Sequence, residues 1–271
     1  MGPCRLPAPR QGACVYVYDQ RVCHEIVLEG GNAAGAVVRV GRTVRKPSTP
    51  YSAGVQSYMR ALRQRGVDLP SPLGFDEQGR SVTEYVAGQL AIDAPALSAE
   101  QLREVGGMVR SIHDASHGLD AAELGLGPAL IPTPASNLVC HGDLTPWNLV
   151  LGERWVFIDW DGSAASTRTW DLAYSTQAFT LNNPETDPRQ AAADLRAFVE
   201  GYHADPALRS ALLEALPQRA QAMYDLLEQA HRQRLEPWGS MFTNGHGTHW
   251  SRATQYVEQH DQIWRAALAS R

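Results

Sequence analysis

The run His141-Gly142-Asp143-Leu144-Thr145-Pro146-Trp147-Asn148 sets a carboxylate and an amide five positions apart. An apolar run, Trp155-Val156-Phe157-Ile158, then delivers Asp159 eleven positions after Asn148. Phosphoryl transfer asks a protein mainly for positioning and charge neutralisation, through a carboxylate beside the acceptor hydroxyl and two oxygen ligands for Mg²⁺. This segment can supply all three. Asp143 reads as a loop carboxylate after a strand, able to accept the hydroxyl proton. Asn148 offers an amide oxygen and Asp159 a carboxylate to the metal. Taken singly these residues have ordinary explanations, since Asp and Asn cap turns and a lone His is commonly structural. The ordered set is far more specific than its members. His141 reads as a support of the loop, and Asp161 is a nearby rival to Asp159, as a second ligand or a turn residue.

Upstream, Gly30, Gly31, Asn32 and Gly35 fall between two strand candidates, where small residues would let backbone N–H groups approach a triphosphate. Such a cluster is also what an ordinary turn requires. Lys46 is the only lysine in the chain, the other 23 basic residues all being arginine. At the end of a strand it would set a compact ammonium on the α- and β-phosphates. Arg45 points to the opposite strand face, so a one-residue change of register would exchange the two. The helix that follows, 52–65, contains no acid to pair with the lysine, and Gln56 is its nearest polar substitute.

These residues need elements to hold them. Segments 24–28, 36–40 and 42–46 read as short Val-rich strands punctuated by glycine, a small antiparallel meander. Helix 52–65 follows with Val55, Tyr58, Met59 and Leu62 on one face and Gly66 at its end. A further strand is expected at 81–86. From Ser98 the pattern turns helical, with Ser98 and Gln101 as a capping box and Leu102, Val105, Val109 and Ile112 at helical spacing. A second β-rich island spans 138–140, 149–151 and 156–159, and beyond Trp170 the chain reads as helical to its end. Asp205-Pro206 and Pro217 look like helix starts, and Trp250, Val257, Ile263, Trp264 and Leu268 like the stripe of one last helix. The order predicts an α+β enzyme of two lobes with a cleft at the connector.

HGDLTPWNLV, VFIDWDGS and WDLAY at 170–174 resemble the aminoglycoside phosphotransferase family, related to choline kinases and more distantly to protein kinases. The stretch 28–47 is similar to that family's glycine-rich loop and third strand, and 81–88 to its last small-lobe strand and hinge. The resemblance implies a bilobal protein-kinase-like fold with a β-rich nucleotide lobe over 1–84, a hinge over 85–89 and a mainly helical catalytic and acceptor lobe over 90–271. It implies ATP or GTP with Mg²⁺ and a hydroxylated small-molecule acceptor, often an antibiotic. Residue by residue, Asp143 matches the catalytic Asp, Asn148 and Asp159 the metal ligands, and Asp171 the Asp that braces the catalytic loop. Glu84, Tyr85 and Val86 match the backbone that meets the purine.

Net charge is −5, with a sequence pI near 6.0. Segment 30–66 carries seven basic residues and no acid, which leaves the remainder at about −12. This balance predicts no nucleic-acid partner. No apolar run approaches the roughly 18 residues of a membrane span, and the first ten residues lack a signal core, so a cytoplasmic protein without a membrane partner is expected. Cys4, Cys14, Cys23 and Cys140 show no metal-ligand spacing and read as reduced thiols. On the acceptor side, Glu200, Asp225, Glu228, Glu258 and Asp261, with Trp238, Trp250, Tyr256 and Trp264, could hold a cationic antibiotic, although acids at helical spacing are more often surface. The alternatives are a metabolic kinase for choline, a sugar or an amino alcohol, and a catalytically silent module of the same fold.

Overall fold

The computed structural model describes residues 25–28, 37–133 and 135–269. Gly30, Gly31, Asn32, Gly35 and the three N-terminal cysteines lie outside the described residues. The expected meander forms from β1 (Glu25–Val27), β2 (Val38–Val40) and β3 (Thr43–Lys46). Val38 and Val40 face the core while Arg39 between them stacks on the Tyr85 ring at 3.8 Å, the period-two alternation of a half-buried strand. After α1 (Ser52–Gln64), β4 (Pro72–Phe75) and β5 (Ser81–Glu84) complete an antiparallel sheet of order β1-β2-β3-β5-β4. β4 was not expected, because Pro72 and Gly74 argue against a strand; it lies at the sheet edge with an irregular register, where both are tolerated.

α1 buries Val55, Tyr58, Met59 and Leu62, each worth about 1.5–3 kcal/mol of apolar burial. Gln56 does not reach toward Lys46. It is 1% exposed, with Nε2 donating to Ser81 Oγ (3.0 Å) and the Val82 carbonyl (3.0 Å) while Oε1 accepts from the Gly74 N–H (3.0 Å), so it staples the helix to β4 and β5. Tyr58 ties the sheet region to the helical one, its hydroxyl meeting Ser116 Oγ at 2.7 Å and the Val139 carbonyl at 3.2 Å.

The rest of the chain runs through β6 (Gln89–Leu90), α2 (Ala99–Ala115), α3 (Ala121–Leu124), β7 (Leu138–Cys140), β8 (Leu149–Leu151), β9 (Val156–Phe157) and β10 (Ala164–Ser166). It ends in α4 (Arg168–Thr180), α5 (Pro188–Gly201), α6 (Pro206–Gln233), α7 (Trp238–Met241), α8 (Gly247–Gln259) and α9 (Asp261–Ala269). The Ser98/Gln101 capping box opens α2 as expected. The hairpin β8–β9 forms, with β6 on its far edge, whereas β7 pairs with β10 instead. α2 and α5 approach closely because Gly106 and Gly201 sit at their crossing: a Cβ on Gly106 would overlap the Phe198 carbonyl, and one on Gly201 the Arg103 backbone.

Two helix expectations are corrected. Pro217 does not start a helix but lies inside the 28-residue α6, whose buried residues on both sides of it, Leu213, Leu216, Ala220 and Met223, keep the segment packed despite the missing N–H. The last stripe belongs to two helices, α8 and α9, broken at His260. Among the described residues no helix is long and apolar enough to cross a membrane.

Candidate active site

The loop 141–148 leaves buried β7 and returns into buried β8, so both of its ends are fixed by the core. His141 is fully buried, its Nε2 donating to the Ile158 carbonyl (3.1 Å) and its Nδ1 accepting the Asp143 N–H (3.2 Å). One neutral tautomer satisfies both bonds, and burial pushes the ring pKa down. From α4, Asp171 accepts the Gly142 N–H on Oδ1 (3.0 Å) and meets His113 Nε2 on Oδ2 (3.0 Å), while His113 Nδ1 meets the Tyr202 hydroxyl (2.8 Å). Gly142 turns with φ +83°, and a Cβ there would stand 2.7 Å from the Gly162 carbonyl, so the loop needs glycine at this position.

Asp143 is half-buried and receives three donors: Asn148 Nδ2 (2.7 Å) and Trp147 Nε1 (3.3 Å) on Oδ2, and Thr145 Oγ1 (3.3 Å) on Oδ1. Such bonds favour the carboxylate, yet its pKa is raised to about 6, because burial first and the charge of Asp159 second outweigh them. The Asn148 amide nitrogen is thereby committed to Asp143, and its oxygen points elsewhere.

Asp159 follows β9 in the left-handed region, φ 60°. The Ile158 N–H donates to the Asn148 carbonyl (2.8 Å), which draws the end of β9 against the loop and sets Asp159 near Asn148. Lys46 Nζ lies 2.6 Å from Asp159 Oδ1 and 2.7 Å from Asp161 Oδ2. Burial alone would lower the lysine pKa, but the two carboxylates bring it above its ordinary value. Burial likewise works to raise Asp159, and Lys46 holds it below the usual carboxylate range.

The open choices of register are thus answered geometrically. Lys46 joins Asp143, Asn148, Asp159 and Asp161 in one site, while Arg45 turns away to Asp76 at 3.4 Å. The acid missing from α1 is supplied by the segment after β9. At the connector, the Glu84 and Tyr85 N–H groups are engaged by the Ser71 and Arg42 carbonyls, and the Glu84 side chain by Ser71 and Arg154. The Val86 N–H has no such partner among the described residues.

The acids expected on the acceptor side do not converge on Asp143. Glu200 pairs with Arg103 and Arg196, Glu228 with Arg232 and Asp261 with Arg265, while Asp225 accepts from Gln221. Tyr256 and Trp264 are buried in the core. The groups beside Asp143 are instead Trp147, Tyr174 and Arg219, which the sequence reading missed. Trp147 and Tyr174 meet edge-on at 6.4 Å, Trp250 lies 6.1 Å from Tyr174, and the Arg219 guanidinium sits 3.9 Å over the Tyr174 ring. Burial and the Asp143 charge push the Tyr174 hydroxyl well up. A signal was present: Arg219 occupies an apolar position on the buried face of α6, an odd place for a charge.

Residues 117–212, which span the loop, Asp159 and Asp171, match the phosphotransferase enzyme family, APH. In structure the chain is similar to an amicoumacin kinase in complex with AMP-PNP, Ca²⁺ and Ami (16% identity, TM-score 0.65, covering 87% of this chain and 88% of that one). It is similar to a microcompartment-associated aminopropanol kinase (14%, TM-score 0.62, 89% and 93%). A choline/ethanolamine kinase family protein from Mesorhizobium loti is a third relative in structure (20%, TM-score 0.57, 94% and 96%). No curated protein matches the chain in sequence. The fold is therefore protein-kinase-like and α+β, with a β-sheet first part and a mostly helical second.

Proposed function

We propose that this chain, a small-molecule phosphotransferase of the APH family, moves the γ-phosphate of ATP or GTP onto a hydroxyl by way of Asp143. What supports the reading is the meeting of Lys46 from β3, Asp143 and Asn148 from one loop, and Asp159 and Asp161 from the turn after β9. Lys46 meets two carboxylates, and Asp143 feels the charge of Asp159, so the site is short of positive charge, and the Asn148 amide oxygen with the Asp159 carboxylate forms a hard, oxygen-only donor set that suits Mg²⁺. Bound there, the ion would neutralise the developing charge on the phosphate oxygens.

The chain's own groups do the rest. Asn148, Thr145 and Trp147 aim the Asp143 carboxylate at the acceptor hydroxyl, whose oxygen attacks the γ-phosphorus as the bond to the β–γ bridging oxygen breaks and the proton passes to Asp143. Lys46 exchanges its half-exposed carboxylates for the α- and β-phosphates, so that one set of negative oxygens replaces another on the ammonium. The Val86 N–H, without a backbone partner among the described residues, would be a donor for the purine edge. Residues 1–84 would act as the nucleotide lobe, 85–89 as the hinge and 90–271 as the catalytic lobe, in a cytoplasmic enzyme.

For the acceptor we favour an antibiotic hydroxyl, a resistance or self-protection activity, in keeping with the likeness to an amicoumacin kinase. A metabolic kinase for a small amino alcohol is the second reading. One observation favours it: Glu200, Glu228 and Asp261, three of the five helical acids, are already paired with arginines, which leaves less for a polycation to bind. A screen with ATP and GTP over aminoglycosides, peptide and nucleoside antibiotics and amino alcohols, read by mass spectrometry, tests both. Tight nucleotide binding with no phosphorylated product would leave only a silent module.

A further inference from the structure

Helix α6 turns Leu212, Leu216, Ala220, Met223 and Leu227 to the core, and Arg219 lies on the same buried face, only 5% exposed. No carboxylate pairs with it among the described residues, and its Nη1 is buried without a hydrogen-bond partner. An unpaired cation is among the costliest groups a core can hold, so its retention calls for a compensating role. Its guanidinium lies 3.9 Å over Tyr174 and 5.7 Å from the Trp170 ring, two residues one turn apart on α4. Tyr174 meets Trp147 edge-on, and Trp147 Nε1 donates to Asp143. Asp171, which holds the Gly142 N–H, lies on α4 between Trp170 and Tyr174.

We propose that Arg219 is a positioning residue of the phosphoryl-transfer centre: seated on Tyr174, its buried charge holds the Tyr174–Trp147 wall against Asp143 and balances Asp143 and Asp171 from behind. The inference rests on the phosphotransferase reading above. Asp171 and Asp143 are the carboxylates whose charge acts on the guanidinium, against the burial that opposes its ionisation. Between Arg219 and Asp171, both buried, such attraction is weakly screened, and a charge fixed before the reaction needs no rearrangement as negative charge gathers at the transferred phosphoryl group. Arg219 does not touch substrate. Lysine would keep the charge without the flat face that stacks on Tyr174, and methionine would keep the length without the charge.

The test compares the wild type with Arg219→Met, Arg219→Lys and Arg219→Ala, using Mg²⁺-ATP and the best acceptor of the screen. Arg219→Met is expected to melt no lower than the wild type and to keep its nucleotide KM, while kcat falls about tenfold to a hundredfold, the scale of one lost charge interaction across a protein interior. Arg219→Lys recovers part of the loss. Arg219→Ala regains turnover in guanidinium chloride below denaturing concentrations and not in equal sodium chloride. Wild-type kcat in Arg219→Met overturns the proposal, and so does a kcat loss that tracks a fall in Tm across all three variants without guanidinium rescue. Should Arg219→Met fail to fold, recovery in Arg219→Lys and guanidinium rescue of Arg219→Ala support the proposal, and their absence overturns it. A wild type that transfers no phosphate to any acceptor sinks the phosphotransferase reading and this inference with it. An active wild type with an indifferent Arg219→Met sinks the inference alone.

Discussion

Replacing Asp171 separates the brace of loop 141–148 from the groups proposed to react. Its carboxylate, 3% exposed as a residue, holds two donors of unequal standing. His113 is fully buried, so in Asp171→Ala its Nε2–H loses its partner without access to water, at about 1–3 kcal/mol. The Gly142 N–H belongs to an exposed loop residue that water can reach, so its loss costs only about 1 kcal/mol, the net worth of an ordinary hydrogen bond. The sum is about 2–4 kcal/mol. Asp171→Asn should cost about 1–3 kcal/mol: the amide oxygen still accepts from Gly142 and the amide nitrogen can donate to a His113 ring that has shifted its proton to Nδ1, but the buried Tyr202 hydroxyl, which already accepts from Arg168, then loses the acceptor for its own proton. Urea unfolding of the three proteins, with midpoint and slope fitted together, reads both values. Asp171→Ala within about 0.5 kcal/mol of the wild type would refute the reasoning, since a change that small belongs to uncoupled surface positions.

Other outcomes follow from the same geometry. Lys46→Met should raise the nucleotide KM far more than Arg45→Met, which only frees Asp76; steady-state kinetics decides, and equal small effects would remove both residues from the phosphate site. With Asp143 titrating at about 6 in the free protein, kcat/KM should fall roughly tenfold per unit as pH drops below that value, because the protonated acid cannot take the hydroxyl proton; a flat profile from pH 7 to 5 would contradict it. The same raised pKa makes ionised Asp143 a burden on the fold: its contribution is intact below the unfolded pKa and lost as pH rises through about 6, so Asp143→Asn should raise Tm at pH 7.5 and not at pH 4. Gly201→Ala should destabilise by about 1–3 kcal/mol through overlap with the Arg103 backbone, although alanine is intrinsically the better helix former by about 1 kcal/mol; a stabilised variant would show that α2 and α5 can slide apart.

Asp171 came only from the resemblance of 170–174 to the family motif, whereas the loop and Asp159 were legible because each is a local pattern: a strand end, a tight turn, an apolar run stopped by a charge. So were the meander and the α2 cap, where alternation and capping chemistry act over a few residues. What escaped the sequence is what packing decides. β4 carries both residues that argue against a strand and forms because an edge position forgives them. Pro217 announces a helix start, and the buried face of α6 overrides it. The acid-rich helices suggested a cationic acceptor, but the arginines that pair with Glu200, Glu228 and Asp261 come partly from a neighbouring turn of the same helix and partly from other helices, as Arg103 does for Glu200. Lys46 and Arg45 could not be separated until β3 was placed beside β5, with Lys46 opposite Ser81.

The central claim is that Asp143 takes the acceptor proton while other residues hold the nucleotide. The direct measurement is mass spectrometry of the acceptor after incubation with Mg²⁺-nucleotide, wild type against Asp143→Asn, with nucleotide affinity titrated in parallel. The account predicts a phosphorylated acceptor in the wild type and a rate at least about a hundredfold lower in Asp143→Asn, the usual reach of a lost general base, at unchanged nucleotide affinity. Transfer by Asp143→Asn at the wild-type rate would contradict it.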